Sequence, residues 1–257
     1  MRILVLGDVV GEPGCKLVET YVPQLRSELA LDFIVVNGEN AAHGKGITSG
    51  IAKRWFDELG VNVITTGNHA FDVKGIASYF NTEPRIIRPA NYPLGTPGNG
   101  YVRLHTAHGL EILVVNLMGR IFMPMCDDPF RCADAILAKE RADLIIIDMH
   151  AEATSEAQAI GWYLDGRVAA VLGTHTHVPT LDAKILTGGT AYVTDIGMVG
   201  PYGSVIGVKK ENSLSRFLKA RGERFEVAES DLQLHGILMV TEGSSVVSIQ
   251  RILKTLS

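Results

Sequence analysis

Five short apolar segments of this 257-residue chain each run into side chains that can ligate a metal ion. In chain order, these side chains are Asp8, the pair Glu39 and Asn40, the pair Asn68 and His69, then His150, and the pair His175 and His177. Apolar strands that alternate with helical segments are typical of a parallel sheet covered on both faces. In such α/β proteins ligands bind beyond the carboxyl ends of the strands. The sequence therefore predicts an α/β fold with all of these side chains at one edge.

The histidine pair in Gly173-Thr174-His175-Thr176-His177 is the most informative of these groups. In an extended strand alternate side chains point the same way, so the pattern predicts that both imidazoles face one point. A His-x-His pair by itself is weak evidence, because exposed pairs of this kind are common. The four other groups in the same chain make it strong evidence for a site.

Apolar runs and helical periodicity predict the order of the elements. Strands are expected at 3–6, 33–36, 61–65, 101–104, 112–115, 144–147 and 168–172, with a β-rich tail at 183–186, 191–194, 236–240 and 246–252. Helices are expected at 16–29 with a break at Pro23, at 49–59 behind a Thr48 or Ser49 cap, near 129–138, and within the charged insert 209–224. No repeat or low-complexity tract divides the chain, which predicts a single domain over residues 1–257 with two packed sheets.

Composition excludes several classes of protein. The chain carries 24 Lys and Arg against 28 Asp and Glu, a net charge of −4, so no strong binding of long nucleic acids is expected. Its three cysteines, Cys15, Cys126 and Cys132, show no C-x-x-C spacing, which predicts a reducing compartment and a cytoplasmic protein. No apolar stretch approaches membrane-spanning length, so no membrane association is expected.

The donor types indicate metal-dependent hydrolysis. Nitrogen and oxygen ligands without thiolates suit Mn, Fe, Zn or Co. A carboxylate can bridge two cations, and two cations roughly 3.5–4 Å apart can activate a hydroxide and stabilise both the attacking and the leaving oxygen of a phosphoryl group. His69 follows the candidate ligand Asn68 directly and could protonate the leaving group as a general acid.

These blocks resemble, in their order, the signature of the calcineurin-like metallophosphoesterase superfamily, and most closely its YmdB-like bacterial phosphodiesterases. The segments that carry the closer resemblance are Gly7-Asp8-Val9-Val10-Gly11, Asn37-Gly38-Glu39-Asn40, Arg88-Pro89-Ala90-Asn91-Tyr92-Pro93 and Thr194-Asp195-Ile196-Gly197-Met198. The resemblance extends over nearly the whole chain. It implies a four-layer α/β/β/α sandwich of two mixed sheets packed face to face, with helices outside.

The resemblance also implies a function and a set of ligands. It implies a dinuclear metal-dependent phosphoesterase that hydrolyses phosphodiesters, including cyclic nucleotides, and phosphomonoesters by attack of a metal-bridging hydroxide. One metal ion would be held by Asp8, Glu39, Asn40 and His177, and the other by Glu39, Asn68, His150 and His175, with His69 as the proton donor. Iron is the first expectation for both ions, with Mn, Zn and Co as alternatives, and a small phosphorylated or cyclic-nucleotide substrate is the expected partner.

Two departures from the superfamily pattern concern the metal ligands. The usual first block is Asp-x-His, but position 10 is Val10, so one imidazole ligand is missing. The usual second acidic ligand is Asp, whereas this chain has Glu39 followed by Asn40. An amide oxygen of Asn40 could take the coordination position that the missing histidine would have held.

Other interpretations stay open at this point. The chain could be a regulatory metal-binding protein with vestigial hydrolase activity, or a metal-dependent amide or lactone hydrolase, and it is compatible with a homo-oligomer. Asp148 and Asp195 could support histidine ligands or form turns, and packing or loop hydrogen bonds are favoured over substrate contacts for Asn91, Tyr92 and Arg120. His43, His105, His108 and His235 are interpreted as surface or structural residues, and a position at the rim of the site stays open for His43 because it follows Asn40 closely.

Overall fold

The structure is a computed structural model that describes residues 1–219 and 224–256. The strands, numbered in chain order, are β1 (Arg2–Val10), β2 (Phe33–Asn40), β3 (Val63–Thr65), β4 (Ile86–Ile87), β5 (Tyr101–His105), β6 (Glu111–Met118), β7 (Leu144–His150), β8 (Ala170–Thr174), β9 (Lys184–Ile185), β10 (Ala191–Val193), β11 (Met198–Pro201), β12 (Leu232–Glu242) and β13 (Ser245–Leu256). The helices are α1 (Gly11–Leu29), α2 (Ser49–Asp57), α3 (Ile76–Thr82), α4 (Pro129–Lys139), α5 (Thr154–Tyr163) and α6 (Lys210–Lys219).

The strands form two mixed sheets. The first sheet has the order β13-β12-β11-β1-β2-β3-β4, and the second has the order β5-β6-β7-β8-β10-β9. Strands β1 to β4 are parallel to one another, as are β6, β7, β8 and β10, while the outer hairpin partners are antiparallel. The parallel strands bring their carboxyl ends to one edge in each sheet.

Side-chain alternation along the strands sorts the apolar residues into three core layers. In β1, Ile3 and Val5 pack between the two sheets, whereas Leu4 and Leu6 pack against helices α1 and α2. Strands β6 and β7 alternate in the same way, with their other face packed against α4 and α5. Three apolar layers separate four layers of structure, so the predicted α/β/β/α sandwich is confirmed.

Side-chain caps fix the starts of two helices. The hydroxyl of Thr48 accepts a hydrogen bond from the backbone N–H of Ile51 at 3.1 Å, so the predicted cap of α2 is present. At α4, the Asp128 carboxylate accepts from the N–H of Phe130 at 2.8 Å, and Pro129 occupies the first helical position. Each of these two helices therefore begins at a defined residue.

The predicted break of the first helix at Pro23 is wrong, because α1 continues through Pro23 and begins five residues earlier than expected, at Gly11. A proline inside a helix costs about 3 kcal/mol. Burial of one large aliphatic side chain contributes about 1.5–3 kcal/mol, and α1 buries Leu17, Val18, Val22 and Leu25 against the sheet. Packing on both sides of the exposed Pro23 therefore outweighs the local penalty.

The charged insert contains helix α6, as predicted, but residues 220–223 of the predicted range lie outside the described residues. The short helix α3 and helix α5 were not predicted. Across the described ranges, none of the helices has the length and apolarity needed to cross a membrane.

Candidate metal centre

The layer between the two sheets changes from apolar to polar along the strands. In β7, Leu144 and Ile146 pack in the apolar part of this layer, and Asp148 and His150 continue on the same face two and four residues later. The facing strand β2 of the other sheet makes the same change. The polar ends of strands from both sheets therefore meet and form one buried group.

Two bulges turn β1 and β2 toward this group. Leu6 pairs with Val36, but Asp8 pairs with Asn37, so β1 contains one extra residue, Gly7. Strict alternation would place Asp8 on the same face as Leu6, toward the helices. The bulge moves Asp8 to the inter-sheet face instead. Four of the candidate ligands lie within strands, namely Asp8, Glu39, Asn40 and His150. The sequence predicts shorter strands that end before these residues.

Side-chain atoms from one strand and two loops converge on the imidazole of His150. Its Nε2 lies 3.0 Å from Glu39 Oε1, 3.1 Å from Asn68 Oδ1 and 3.1 Å from His175 Nδ1. The donor atoms of Glu39, His150 and His175 all lie within 4.8 Å of one another. These four predicted ligands are therefore brought together.

Asp8 closes the group from the opposite side. Its Oδ2 accepts a hydrogen bond from the backbone N–H of His175 at 3.0 Å. Its Oδ1 lies 3.8 Å from His150 Nδ1, too far for a hydrogen bond. Among the described residues, neither Asp8 Oδ1 nor Glu39 Oε2 has a hydrogen-bond partner, although both atoms are buried.

Asn40 and His177 form a neighbouring pair. Asn40 donates its amide N–H to the carbonyl of Gly44 at 3.0 Å, so its Oδ1 turns toward His177 Nε2, 3.2 Å away. The other ring nitrogen of His177 contacts the Ile206 carbonyl at 2.9 Å. These two hydrogen bonds leave lone pairs of Asn40 Oδ1 and His177 Nε2 directed toward the same cleft. We call the seven candidate ligands the donor group, namely Asp8, Glu39, Asn40, Asn68, His150, His175 and His177.

The histidine pair reaches the site by a turn rather than by strand alternation. Strand β8 ends at Thr174, and both histidines have left-handed backbones, with φ of 103° at His175 and 64° at His177. The carboxylate of Asp195 holds the turn by accepting from the N–H of Thr176 at 2.9 Å and from its hydroxyl at 2.8 Å. Non-glycine residues in this region are strained and concentrate at functional sites. The predicted alternation of the two histidines along a strand is therefore wrong, although both side chains line the same cleft.

A buried relay fixes the orientation of His150. Its Nδ1 lies 2.9 Å from the hydroxyl of Thr174, and that hydroxyl donates to Asp148 Oδ1 at 2.6 Å. Because the hydroxyl proton is directed at Asp148, the oxygen accepts from Nδ1–H of His150. Asp148 also accepts from Asn37 Nδ2 at 3.1 Å and from the Thr65 hydroxyl. The relay turns Nε2 of His150 toward the donor group and gives Asp148 a supporting role.

Burial and mutual contact shift the titration of the group. Burial raises the pKa of Asp8 to about 7. Burial alone would raise the pKa of Glu39, but the adjacent His150 outweighs it and lowers that pKa. Burial opposes a charged His150, yet the Glu39 carboxylate raises the pKa of His150 to about 9. Burial, together with the neighbouring His150, lowers the pKa of His175 to about 3. The site is an electrostatically coupled unit.

The buried carboxylates of the site make it suited to binding cations. Four carboxylates are almost completely buried near one another, namely those of Asp8, Glu39, Asp148 and Asp195. Buried carboxylates are costly unless they are paired or coordinate metal ions. The two orphaned oxygens of Asp8 and Glu39, with the imidazole nitrogens and amide oxygens beside them, could hold metal ions of the nitrogen- and oxygen-preferring type.

Two carboxylates that the sequence analysis missed contact histidines of the site. Asp72 Oδ2 lies 2.8 Å from Nδ1 of His69, which orients the ring and leaves Nε2 available. Glu152 Oε2 lies 3.0 Å from Nε2 of His175, whose Nδ1 faces His150. The i, i+3 spacing of His69 and Asp72 within one loop was the available signal for the first contact. No local signal indicated the second.

Of the residues to which the sequence assigns no firm role, some hold loops in place and one lines the cleft. Tyr92 donates its hydroxyl to the Gly67 carbonyl at 3.1 Å, and the Asn91 amide holds the backbone of Met118, so both brace loops as predicted. Arg120 pairs with Asp128 at 3.1 Å. His43 lines the cleft beside the donor group, which is the rim position left open for it.

Gly67 shows how tightly the group is packed. A Cβ at this position would lie 2.1 Å from Glu39 Oε2 and 2.2 Å from His150 Nε2. We predict that Gly67→Ala displaces both side chains and lowers the free energy of unfolding by about 1–3 kcal/mol, as overpacking does. At the control position Gly50, in α2, the nearest atom to an added Cβ is 3.8 Å away.

Denaturant unfolding of both variants measures this difference. Gly50→Ala is expected to stay within about 1 kcal/mol of the unsubstituted protein, because alanine is favoured in helices. Equal stability of Gly67→Ala and Gly50→Ala would contradict the described packing around Glu39 and His150.

Comparison with known proteins places this arrangement in a family. The sequence profile described as YmdB-like protein matches residues 4–252. The chain is 48% identical to the 2',3'-cyclic-nucleotide 2'-phosphodiesterase of Bacillus subtilis (strain 168), over 98% of this chain and 97% of that protein. A crystal structure of a hypothetical protein from Thermus thermophilus superposes with a TM-score of 0.94 at 46% identity, covering 99% of both chains. A crystal structure of a novel phosphatase from Mycoplasma pneumoniae gives 0.93 at 34% identity, covering 99% of this chain and 93% of the other. The chain therefore belongs to the YmdB-like protein family.

Proposed function

We propose that this protein is a metal-dependent phosphodiesterase and phosphatase that acts on small substrates, including cyclic nucleotides. The observation that carries the proposal is the convergence of Asp8, Glu39, Asn68 and His175 around the buried His150 at the meeting edge of the two sheets. The similarity to a 2',3'-cyclic-nucleotide 2'-phosphodiesterase supports the choice of substrate class.

In this proposal two cations share the site. Asp8, Glu39, Asn40 and His177 would hold one ion, and Glu39, Asn68, His150 and His175 would hold the other. Two features support Glu39 as the shared ligand: one of its oxygens lies 3.0 Å from His150, and the other is buried without a partner among the described residues. The chemistry that the bound ions supply is activation of water and neutralisation of charge on the phosphoryl oxygens.

The chain's own groups complete the reaction. His69 lines the cleft, and Asp72 accepts from its Nδ1–H; in the imidazolium form of His69 the second ring proton, on Nε2, can be given to the leaving oxygen. The relay from Asp148 through Thr174 keeps His150 in one orientation, so the ligand set is preorganised before substrate binds. The two sheets bury the side chains of Asp8, Glu39 and His150, which strengthens the electrostatic interactions among these three groups.

Three finer assignments accompany this function. The resemblance to the YmdB-like group makes iron the expected metal, and Mn, Zn and Co are alternatives because a donor group of nitrogen and oxygen atoms suits all four. The free thiols of Cys15, Cys126 and Cys132 support a reducing, cytoplasmic location. The core layer shared by both sheets supports one domain over residues 1–257, and association into a homo-oligomer is compatible with it.

A substrate panel tests the function. Protein stripped by a chelator is reloaded separately with Fe(II), Mn(II), Zn(II) or Co(II) and assayed on a 2',3'-cyclic nucleotide, an aryl phosphodiester, an aryl phosphomonoester, an aryl amide and a lactone. We expect phosphodiester hydrolysis that disappears on stripping and returns on reloading. Hydrolysis of only the amide or the lactone would contradict the proposal and support an amide or lactone hydrolase. No hydrolysis with any metal would contradict it and support a regulatory metal-binding protein.

His69→Gln separates the proton donor from the ligands. We expect metal content to stay intact while turnover falls by about 10²- to 10⁴-fold, the usual contribution of a general acid or base. The loss should be smaller for p-nitrophenyl esters than for alkyl esters, because p-nitrophenolate needs less protonation. His105→Gln, at an exposed position outside the cleft, is the matched control. Equal losses on both leaving groups would remove His69 from this role.

Asn40→Ala tests the replacement of the missing histidine at position 10. We expect one of two metal sites to weaken by at least the roughly 10–100-fold that loss of an outer-shell partner costs, and the other to bind normally. Asn40→Asp keeps an oxygen at the same position and should retain binding at both sites. Calorimetric titration of metal into stripped protein measures both affinities. Two unchanged sites in Asn40→Ala would show that Asn40 only shapes the loop.

A further inference from the structure

The cleft beside the donor group is larger than the reacting phosphoryl group requires. Its volume of about 780 Å³ lies within the range of roughly 300–1,000 Å³ that takes a whole small-molecule ligand. The donor group lines one side. The other side is apolar and consists of Val10, Ala42, Ile206, Val208, Phe225 and Val227, which we call the apolar wall.

The apolar wall is fixed relative to the donor group. The backbone carbonyl of Ile206 contacts His177 Nδ1 at 2.9 Å, and Val208 forms bridge pairs with both Val205 and Val227. Gly207 packs so closely that an added Cβ would lie 2.7 Å from Val10. A ligand held by this wall would therefore sit at a defined distance from the groups that contact its phosphate.

Position 10 contributes directly to the wall. The superfamily pattern has an imidazole there, whereas Val10 presents methyl groups to the cleft and is almost fully buried. Valine at position 10 therefore takes one candidate ligand away from the metal centre and adds apolar surface to the cleft.

Phe225 supplies the one benzene-type ring among the described residues that line the cleft, whose other aromatic rings are histidine imidazoles. The guanidinium of Arg216, from α6, lies 5.1 Å from the ring centroid and supports the ring by a cation–π contact. The side chain is 40% exposed, so part of its surface is open to a ligand. Lys45 and Arg224 line the same cleft, beside Glu152 and Glu226, and offer two cationic side chains to a phosphorylated ligand.

We propose that the apolar wall is a nucleobase-binding subsite, with Phe225 as the ring on which the base stacks. The inference rests on the proposed function and adds the part of the substrate that is recognised away from the phosphate. Stacking on an aromatic ring is sequence-tolerant because every base has a π-face. The subsite therefore accepts purines and pyrimidines, and it binds the larger purines more tightly.

Binding of two probes tests the subsite without relying on hydrolysis. Metal-loaded protein is titrated calorimetrically with adenosine 3'-monophosphate and with ribose 5-phosphate, which lacks a base. We expect Phe225→Ala to weaken the nucleotide by about 5- to 100-fold, the effect of one lost stacking contact, and to leave the base-free probe unchanged. Phe122→Ala removes a phenyl ring that is 88% exposed and outside the cleft, and it should bind both probes normally.

Two further variants separate stacking from folding and from general apolar contact. Phe225→Trp keeps an aromatic face and should restore nucleotide binding, whereas Phe225→Leu keeps apolar volume and should restore only part of it. Metal content of each variant, measured before titration, verifies that His177 and its neighbours remain in place.

The outcomes distinguish the subsite from the proposed function. Equal weakening of both probes by Phe225→Ala, or equal affinity of the unsubstituted protein for both probes, overturns the subsite. Phe225-dependent nucleotide binding by a protein that hydrolyses no phosphoester with any metal upholds the subsite and overturns the phosphodiesterase function. Equally efficient hydrolysis of a 2',3'-cyclic nucleotide and of a cyclic phosphodiester that carries no base overturns the subsite alone.

Discussion

Four carboxylates buried in one small volume between two sheets are the constraint on which the rest of this structure depends. Asp8, Glu39, Asp148 and Asp195 are each at most 3% exposed. Asp148 and Asp195 are satisfied by hydroxyl, amide and backbone donors, but Asp8 and Glu39 each keep one oxygen without a partner among the described residues. Removing such charges from water costs several kcal/mol per ion unless an opposite charge compensates. The architecture therefore calls for cations at the edge where the sheets meet.

Several unusual local features follow from that constraint. The bulge at Gly7 turns Asp8 away from the helices, and the missing side chain at Gly67 leaves room for Glu39 beside His150. Left-handed backbones at His175 and His177 cost energy that Asp195 offsets by holding the turn. Each feature lowers local stability and improves the convergence of donors, a combination that is characteristic of functional sites.

Much of the fold, and the candidate residues that the fold brings together, could be predicted from the sequence. Apolar runs specified most strands because buried strands need continuous hydrophobic residues, and the polar group that follows each run specified the edge. Long-range geometry was outside the reach of local patterns. The bulge at Gly7, the turn that carries the histidines, and the passage of α1 through Pro23 all depend on packing against distant segments. Phe225 carries no motif and enters the cleft only because its segment bridges to Val208 through Val227.

The most direct test of the central claim is anomalous diffraction from crystals of the protein grown with Mn(II). We expect two anomalous peaks per chain with Glu39 between them, one contacting Asp8, Asn40 and His177 and the other contacting Asn68, His150 and His175. A single peak, or peaks that do not contact Glu39, would contradict the claim that two cations compensate the buried carboxylates.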